Sequence, residues 1–160
     1  MGVRYEYFRA PDRATALALI ASGVSLFEAT ASVRDADAVD LTGIDPVVML
    51  GKLVGLLSGV TYEELVLSGI PTEHIPAPVP LTVEDAETTL VEVDVFVRDT
   101  LANATEGALT EAAPIWANTS EFSRDTWNDA DAVRPAMDDL VGLARRARSD
   151  GQLIYCAICP

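Results

Sequence analysis

The reading of the fold turns on IDPVVMLGKLVGLLS, residues 44–58. Asp45 stands where a helix cap belongs, and Pro46 fits the first helical position, whose N–H has no intrahelical partner. Ile44 is spaced to staple onto Met49. From Val47 to Leu57 the stretch is apolar nearly all round, with Lys52 its only charge. A helix without a polar face belongs in the middle of a domain. The run is too short and too interrupted to span a bilayer, which takes about 20 apolar residues. The stretch therefore predicts a buried helix over about residues 45–58, with the other elements packed around it.

Downstream, Thr61 caps a short helix through Leu67, Glu64 completes a capping box, and Gly69 ends it. Residues 70–81 hold Pro71, Pro76, Pro78 and Pro80 and read as an extended connection. Leu90 to Val95 alternates like a half-buried strand, followed by a helix around Phe96 to Asn103. Thr105 to Asn118 reads as another helix, with Pro114 inside it as a weakness. The loop 119–131 is polar and acidic but holds Phe122 and Trp127. Asp131 is placed to cap a long helix that tolerates Pro135 in its first turn. Its stripe of Val133, Met137, Leu140, Val141, Ala144 and Ala147 has helical spacing. Arg145, Arg146 and Arg148 sit at its negative end, and Gly151 follows as the stop. Leu153 to Cys159 reads as a final strand.

Upstream, Val3 to Phe8 has the β-branched and aromatic composition of a strand. Pro11 opens a helix through Ala21 that stops at Gly23. Val24 to Phe27 reads as a short extended piece, and Ser32 to Asp40 as an acidic loop feeding a short strand near Val39 to Leu41. Strands at both ends predict that the termini pair in one small sheet with four to six helices packed on it. The expected class is α+β, with residues 1–160 forming a single domain.

Composition agrees with that class. Apolar residues make up 49% of the 160 positions, enough for a core, but aromatics only 6%, so Leu, Val, Ile and Ala must build it. The net charge of −14 is unevenly placed. Residues 35–131 carry 19 acids against Lys52, Arg98 and Arg124, while the flanking segments are slightly basic. Such a field repels phosphates and anionic lipid, so neither nucleic acid nor membrane is expected as a partner. It speeds association with a basic protein. Solubility is the plainer use of the same charge. Arg4 and Arg9 before the apolar Ala14 to Ala21 imitate a signal peptide, but Glu6, Pro11 and Asp12 interrupt it. Gly2 lacks the Ser or Thr of a myristoylation motif, because Glu6 stands there. Asn103-Ala104-Thr105 and Asn118-Thr119-Ser120 fit the glycosylation pattern, which is short enough to arise by chance. The expected location is the cytoplasm.

No motif with catalytic spacing stands out. Cys156-Ala157-Ile158-Cys159 has redox spacing but no following helix to lower a thiol pKa. On a strand, residues three apart face opposite sides, which is poor geometry for a disulfide. Buried structural cysteines are the reading, with an intersubunit metal or disulfide as the alternative. His74, the sole histidine, lies in the Pro-rich connection with no recognisable nucleophile motif beside it, and reads as exposed. Gly51, Gly55 and Gly59 mark a close approach, either a helix crossing within the chain or a dimer contact. They are not a phosphate loop, since Gly51-Lys52 is followed by Leu53. The acid pairs Glu63-Glu64, Glu84-Asp85 with Glu87, and Asp138-Asp139 read as solvated surface, though paired carboxylates also serve glycoside hydrolysis or metal binding.

The segment Glu121-Phe122-Ser123-Arg124-Asp125-Thr126-Trp127-Asn128-Asp129 sets aromatics among acids, the composition of a recognition patch. Trp127 serves either an interface or the anchoring of its own loop, and Trp116 either joins the patch or anchors the core.

The opening RYEYF (4–8), the central DPVVMLGKL (45–53) and the closing LARRARSDGQLIYC (143–156) resemble a group of small uncharacterised actinobacterial proteins. The resemblance implies a shared fold and no chemistry. Small acidic proteins of this kind are similar in type to the immunity proteins and antitoxins of toxin loci, by analogy alone.

The functional expectation is an acidic protein-binding protein that docks on a basic partner, a toxin or an enzyme, and blocks its active site. Its expected contact residues are Asp35, Asp37, Asp40, Glu84, Asp85, Glu87, Glu121, Phe122, Asp125, Trp127 and Asp129. No catalytic residue, metal or cofactor is expected. The alternatives are a homo-oligomeric structural or regulatory protein using the glycine face or a strand edge, and a small carboxylate- or metal-dependent enzyme.

Overall fold

A computed structural model describes residues 3–20, 37–67, 88–122 and 129–159. The two terminal strands are partners: β1 (Arg4–Ala10) and β4 (Leu153–Cys159) run antiparallel, in register from Arg4 opposite Cys159 to Ala10 opposite Leu153. β2 (Ala38–Asp40) joins the outer edge of β1 and β3 (Thr89–Val93) that of β4, giving the antiparallel order β2-β1-β4-β3. Successive side chains alternate across this sheet. Tyr7, Val91, Val93, Ile154 and Cys156 enter the main core on one face. On the other, Phe8, Ala10, Leu90, Tyr155 and Ala157 pack with Ala16 and Ile20 of α1 (Arg13–Ile20). Because both faces are covered, β4 reads LIYCAIC, an apolar run without polar alternation.

The remaining helices lie against the main core: α2 (Val48–Ser58), α3 (Tyr62–Leu67), α4 (Val95–Asn103), α5 (Glu106–Ala117) and α6 (Ala130–Ser149), with a 3₁₀ turn at Ser120–Phe122. α6 packs on α4, on α5 and on the sheet. Its buried stripe contains each of the six residues predicted for it. Met49, Leu50, Leu53 and Val54 of α2 are buried in the same cluster, with Ile44 just ahead of them. The chain is thus a small α+β fold, with a four-stranded sheet that includes both terminal strands and six helices around a core. No helix among the described residues is long and apolar enough to cross a membrane.

Short-range hydrogen bonds set most of these boundaries. The Asp45 carboxylate accepts from the N–H groups of Val47, Val48 and Met49 at 3.0, 2.8 and 3.2 Å. Thr61 and Glu64 cap each other reciprocally, at 3.1 and 2.9 Å. Asp94 caps α4 through the Phe96 N–H at 2.7 Å, and Thr105 caps α5 through the Ala108 N–H at 3.2 Å. α6 starts earlier than predicted: Asp129, not Asp131, accepts from the Ala132 N–H, at 2.7 Å. Both aspartates qualify chemically as caps, but this start adds Ala130 to the helix and puts Asp131 in its first turn, facing the positive dipole end. Pro135 consequently lies in the second turn and removes one helical hydrogen bond. The helix end at Gly23, Val24 to Phe27, Gly69, the connection 70–81 with His74, and residues 123–128 lie outside the described residues.

The glycine spacing in α2 has a local explanation. A Cβ on Gly51 would lie 2.8 Å from the Tyr62 ring, so the absent side chain makes room for α3. Gly59 ends α2 in the left-handed conformation at φ 75°, which glycine adopts without steric cost.

Candidate functional site

Of the expected contact residues, Asp35, Glu84, Asp85, Glu87, Asp125 and Trp127 lie outside the described residues. The structure engages each of the other five within the chain. Asp37 accepts from Arg9 at 2.8 Å and from Arg146 at 2.5 and 3.0 Å, joining the start of β2 to β1 and to the end of α6. Partial burial disfavours its charge, but the Arg146 and Arg9 guanidinium groups outweigh that and hold the carboxyl below its usual range. Asp40 accepts from the Thr42 hydroxyl at 2.7 Å and faces Arg4 at 3.5 Å. Glu121 takes both its oxygens to Lys52 Nζ, at 2.7 and 2.8 Å, and this ion pair holds its carboxyl below the usual range. Phe122 is buried, its ring edge-on to Trp116 with centroids 5.0 Å apart. Trp116 anchors the core, donating from Nε1 to the Met49 carbonyl at 2.9 Å. Asp129 is the α6 cap.

Most of the cations likewise have partners within the chain. Among the described residues, Arg4, Arg9, Arg13, Lys52, Arg98, Arg134 and Arg146 each pair with a carboxylate of the chain. Arg145 donates to the carbonyls of Ala102 and Ala104 at 3.2 and 2.7 Å, satisfying the C-terminal end of α4. Arg148 reaches the Asn103 side chain at 2.6 Å. Glu63, Glu111, Asp131 and Asp139, by contrast, are exposed and form no ion pair with any described residue. The described surface thus carries unpaired carboxylates, with Arg145 and Arg148 the exposed cations that meet no carboxylate among the described residues.

An open groove of about 390 Å³ lies where α2, α3 and α5 meet. Gly55, Leu56, Val60, Tyr62 and Ile115 give it an apolar lining. Its polar rim includes Glu63, Thr61, Thr119 and Lys52, and Lys52 is held by Glu121. Leu56 and Ile115 are 36% and 56% exposed, whereas their neighbours Gly55 and Trp116 are buried. Glu111 precedes Ile115 by one turn on the same helix face. Sequence reading passed over Leu56 and Ile115. For Ile115 the available signal was its position off the apolar stripe, since on α5 the buried residues are Leu109, Ala112, Ala113, Trp116 and Ala117 and Ile115 faces away from them beside Glu111. Leu56, in a helix apolar nearly all round, gave no such signal.

Other polar groups in the interior are closed off. Cys156 and Cys159 are both free thiols on opposite faces of β4; Cys156 is buried, which pushes its thiol well up, and Cys159 is half-buried. Tyr7 donates to the Ile44 carbonyl at 2.8 Å. The buried Tyr155 hydroxyl makes no well-formed hydrogen bond among the described residues; burial, with the nearby Glu92 carboxylate, pushes its pKa up to about 12. No group of three or more His, Cys, Asp or Glu among the described residues is arranged to hold a metal ion.

No family model matches the chain, and neither a curated protein nor a solved structure matches it.

Proposed function

We propose that this chain is a binding protein for a basic protein partner, acting in the manner of an inhibitor or immunity protein that covers the partner's active site. One observation carries the reading: seven of the nine described cations pair with carboxylates of the chain, while Glu63, Glu111, Asp131 and Asp139 are exposed with no ion-pair partner among the described residues. A surface whose positive charge is mostly paired presents a predominantly negative field, which steers basic partners and repels acidic ones. The net charge of −14 sets that sign.

The test is affinity capture from host lysate, washed at low and at high salt. The expected result is one basic protein held near stoichiometry, released as salt rises, and losing its own activity when titrated with this chain. Retention that ignores salt, or a captured partner whose activity is untouched at saturation, would overturn the reading.

A further inference from the structure

We infer that the groove between α2, α3 and α5 receives a basic amphipathic helix of the partner. Its apolar side chains enter between Leu56 and Ile115, and its lysines or arginines meet Glu63 and Glu111. This assignment rests on the basic-partner reading and adds the place and chemistry of contact.

Four large apolar side chains are exposed among the described residues, Val3, Leu56, Val95 and Ile115, and two of them line this groove. Its volume of about 390 Å³ falls within the range of sites that accept side-chain-sized groups, roughly 300–1,000 Å³. Gly55 contributes no side chain to fill it. An apolar groove between helices suits a partner helix that presents apolar anchors one turn apart.

Charge selects among the possible occupants. Among the described residues the one cation at the rim, Lys52, is neutralised by Glu121 at 2.7 Å. Glu63 in the lining and Glu111 beside Ile115 have no ion-pair partner among the described residues. An acidic helix, a phosphate or an anionic headgroup would meet these carboxylates unneutralised. A second copy of the chain would bring another −14 against the first. A segment with apolar and basic faces satisfies both halves of the site.

The probe is a labelled amphipathic Leu/Lys helical peptide, compared by fluorescence anisotropy with a scrambled peptide of the same composition. The intact chain should prefer the amphipathic peptide by about tenfold or more. Leu56→Ser with Ile115→Ser should remove that preference without lowering the melting temperature, since both side chains are exposed. Glu63→Gln with Glu111→Gln should keep the preference but flatten its salt dependence. Equal binding of the two peptides, or an undiminished preference in the Leu56→Ser/Ile115→Ser chain, would sink the groove and leave the basic-partner reading standing. So would a mass in light scattering that rises with concentration and falls in that variant, because a second copy would then be the occupant. Failure of the intact chain to bind either basic peptide would sink both readings.

Discussion

The corner where β1, β2 and α6 meet and the groove between α2, α3 and α5 use the same residue types for opposite ends. At the corner, Asp37 lies between Arg9 and Arg146, and Asp150 meets Arg9 from the end of α6. Those carboxylates are consumed in holding elements together that are more than a hundred residues apart in the chain. At the groove, Glu63 and Glu111 form no ion pair with any described residue, and Leu56 and Ile115 are exposed. An acid's role therefore depends on whether the fold brings a guanidinium to it. Burial makes the same division within α5: Ile115 faces solvent, and Trp116 beside it is fully buried under the groove.

Substitutions can break this contrast, and the largest effect is expected beneath the groove. Trp116→Ala removes the bond to the Met49 carbonyl and the edge contact with Phe122, and should cost about 3–5 kcal/mol in urea unfolding. A loss below about 1 kcal/mol would mean that the groove does not stand on the core. Next comes the corner. Asp37→Ala leaves the Arg146 guanidinium without its carboxylate, takes one of two carboxylates from Arg9, and should cost about 1–2 kcal/mol at neutral pH.

The same pair of chains gives the pH test. Asp37 has a folded-state pKa below its unfolded value, so its stabilisation is complete above the unfolded pKa, about 3.9. That stabilisation is lost as pH falls through the folded pKa. The stability gap between the intact chain and Asp37→Ala should therefore be constant near neutrality and close on acidification below about pH 4. A gap that persists at lower pH would assign the loss to packing.

Smaller effects sharpen the other side of the contrast. Glu121→Gln breaks a partly exposed ion pair with Lys52 and should cost under about 1 kcal/mol, while freeing a positive charge at the groove rim. Binding of the Leu/Lys peptide should weaken in that variant, more at low salt than at high. Ile115→Ser should change stability by less than about 0.5 kcal/mol, measured by thermal unfolding. A larger loss would mean that Ile115 is covered in the folded chain and that the groove is not open.

The elements that the sequence made legible are those written in contiguous residues. The Asp45 cap, the Thr61–Glu64 box, the α6 stripe and the β4 run were readable because their partners lie within a few positions. The start of α6 was read two residues late because Asp129 and Asp131 offer the same cap chemistry, and packing of the first turn decides between them. The site was less legible. Phe122 read as an interface aromatic and lies in the core, because whether a ring faces solvent depends on Trp116 and the elements around it.

Sequence by itself determined the class of this protein: an acidic α+β chain with paired terminal strands and an apolar helix near its middle. Local hydrogen-bond chemistry and hydrophobic period carry that much. Tertiary structure alone decided which acids are neutralised and which apolar residues remain uncovered. Leu56 and Ile115 line one groove, and Lys52 and Glu121 pair, across more than fifty residues of chain. No local pattern encodes such a meeting, because it depends on how helices cross once the core has formed.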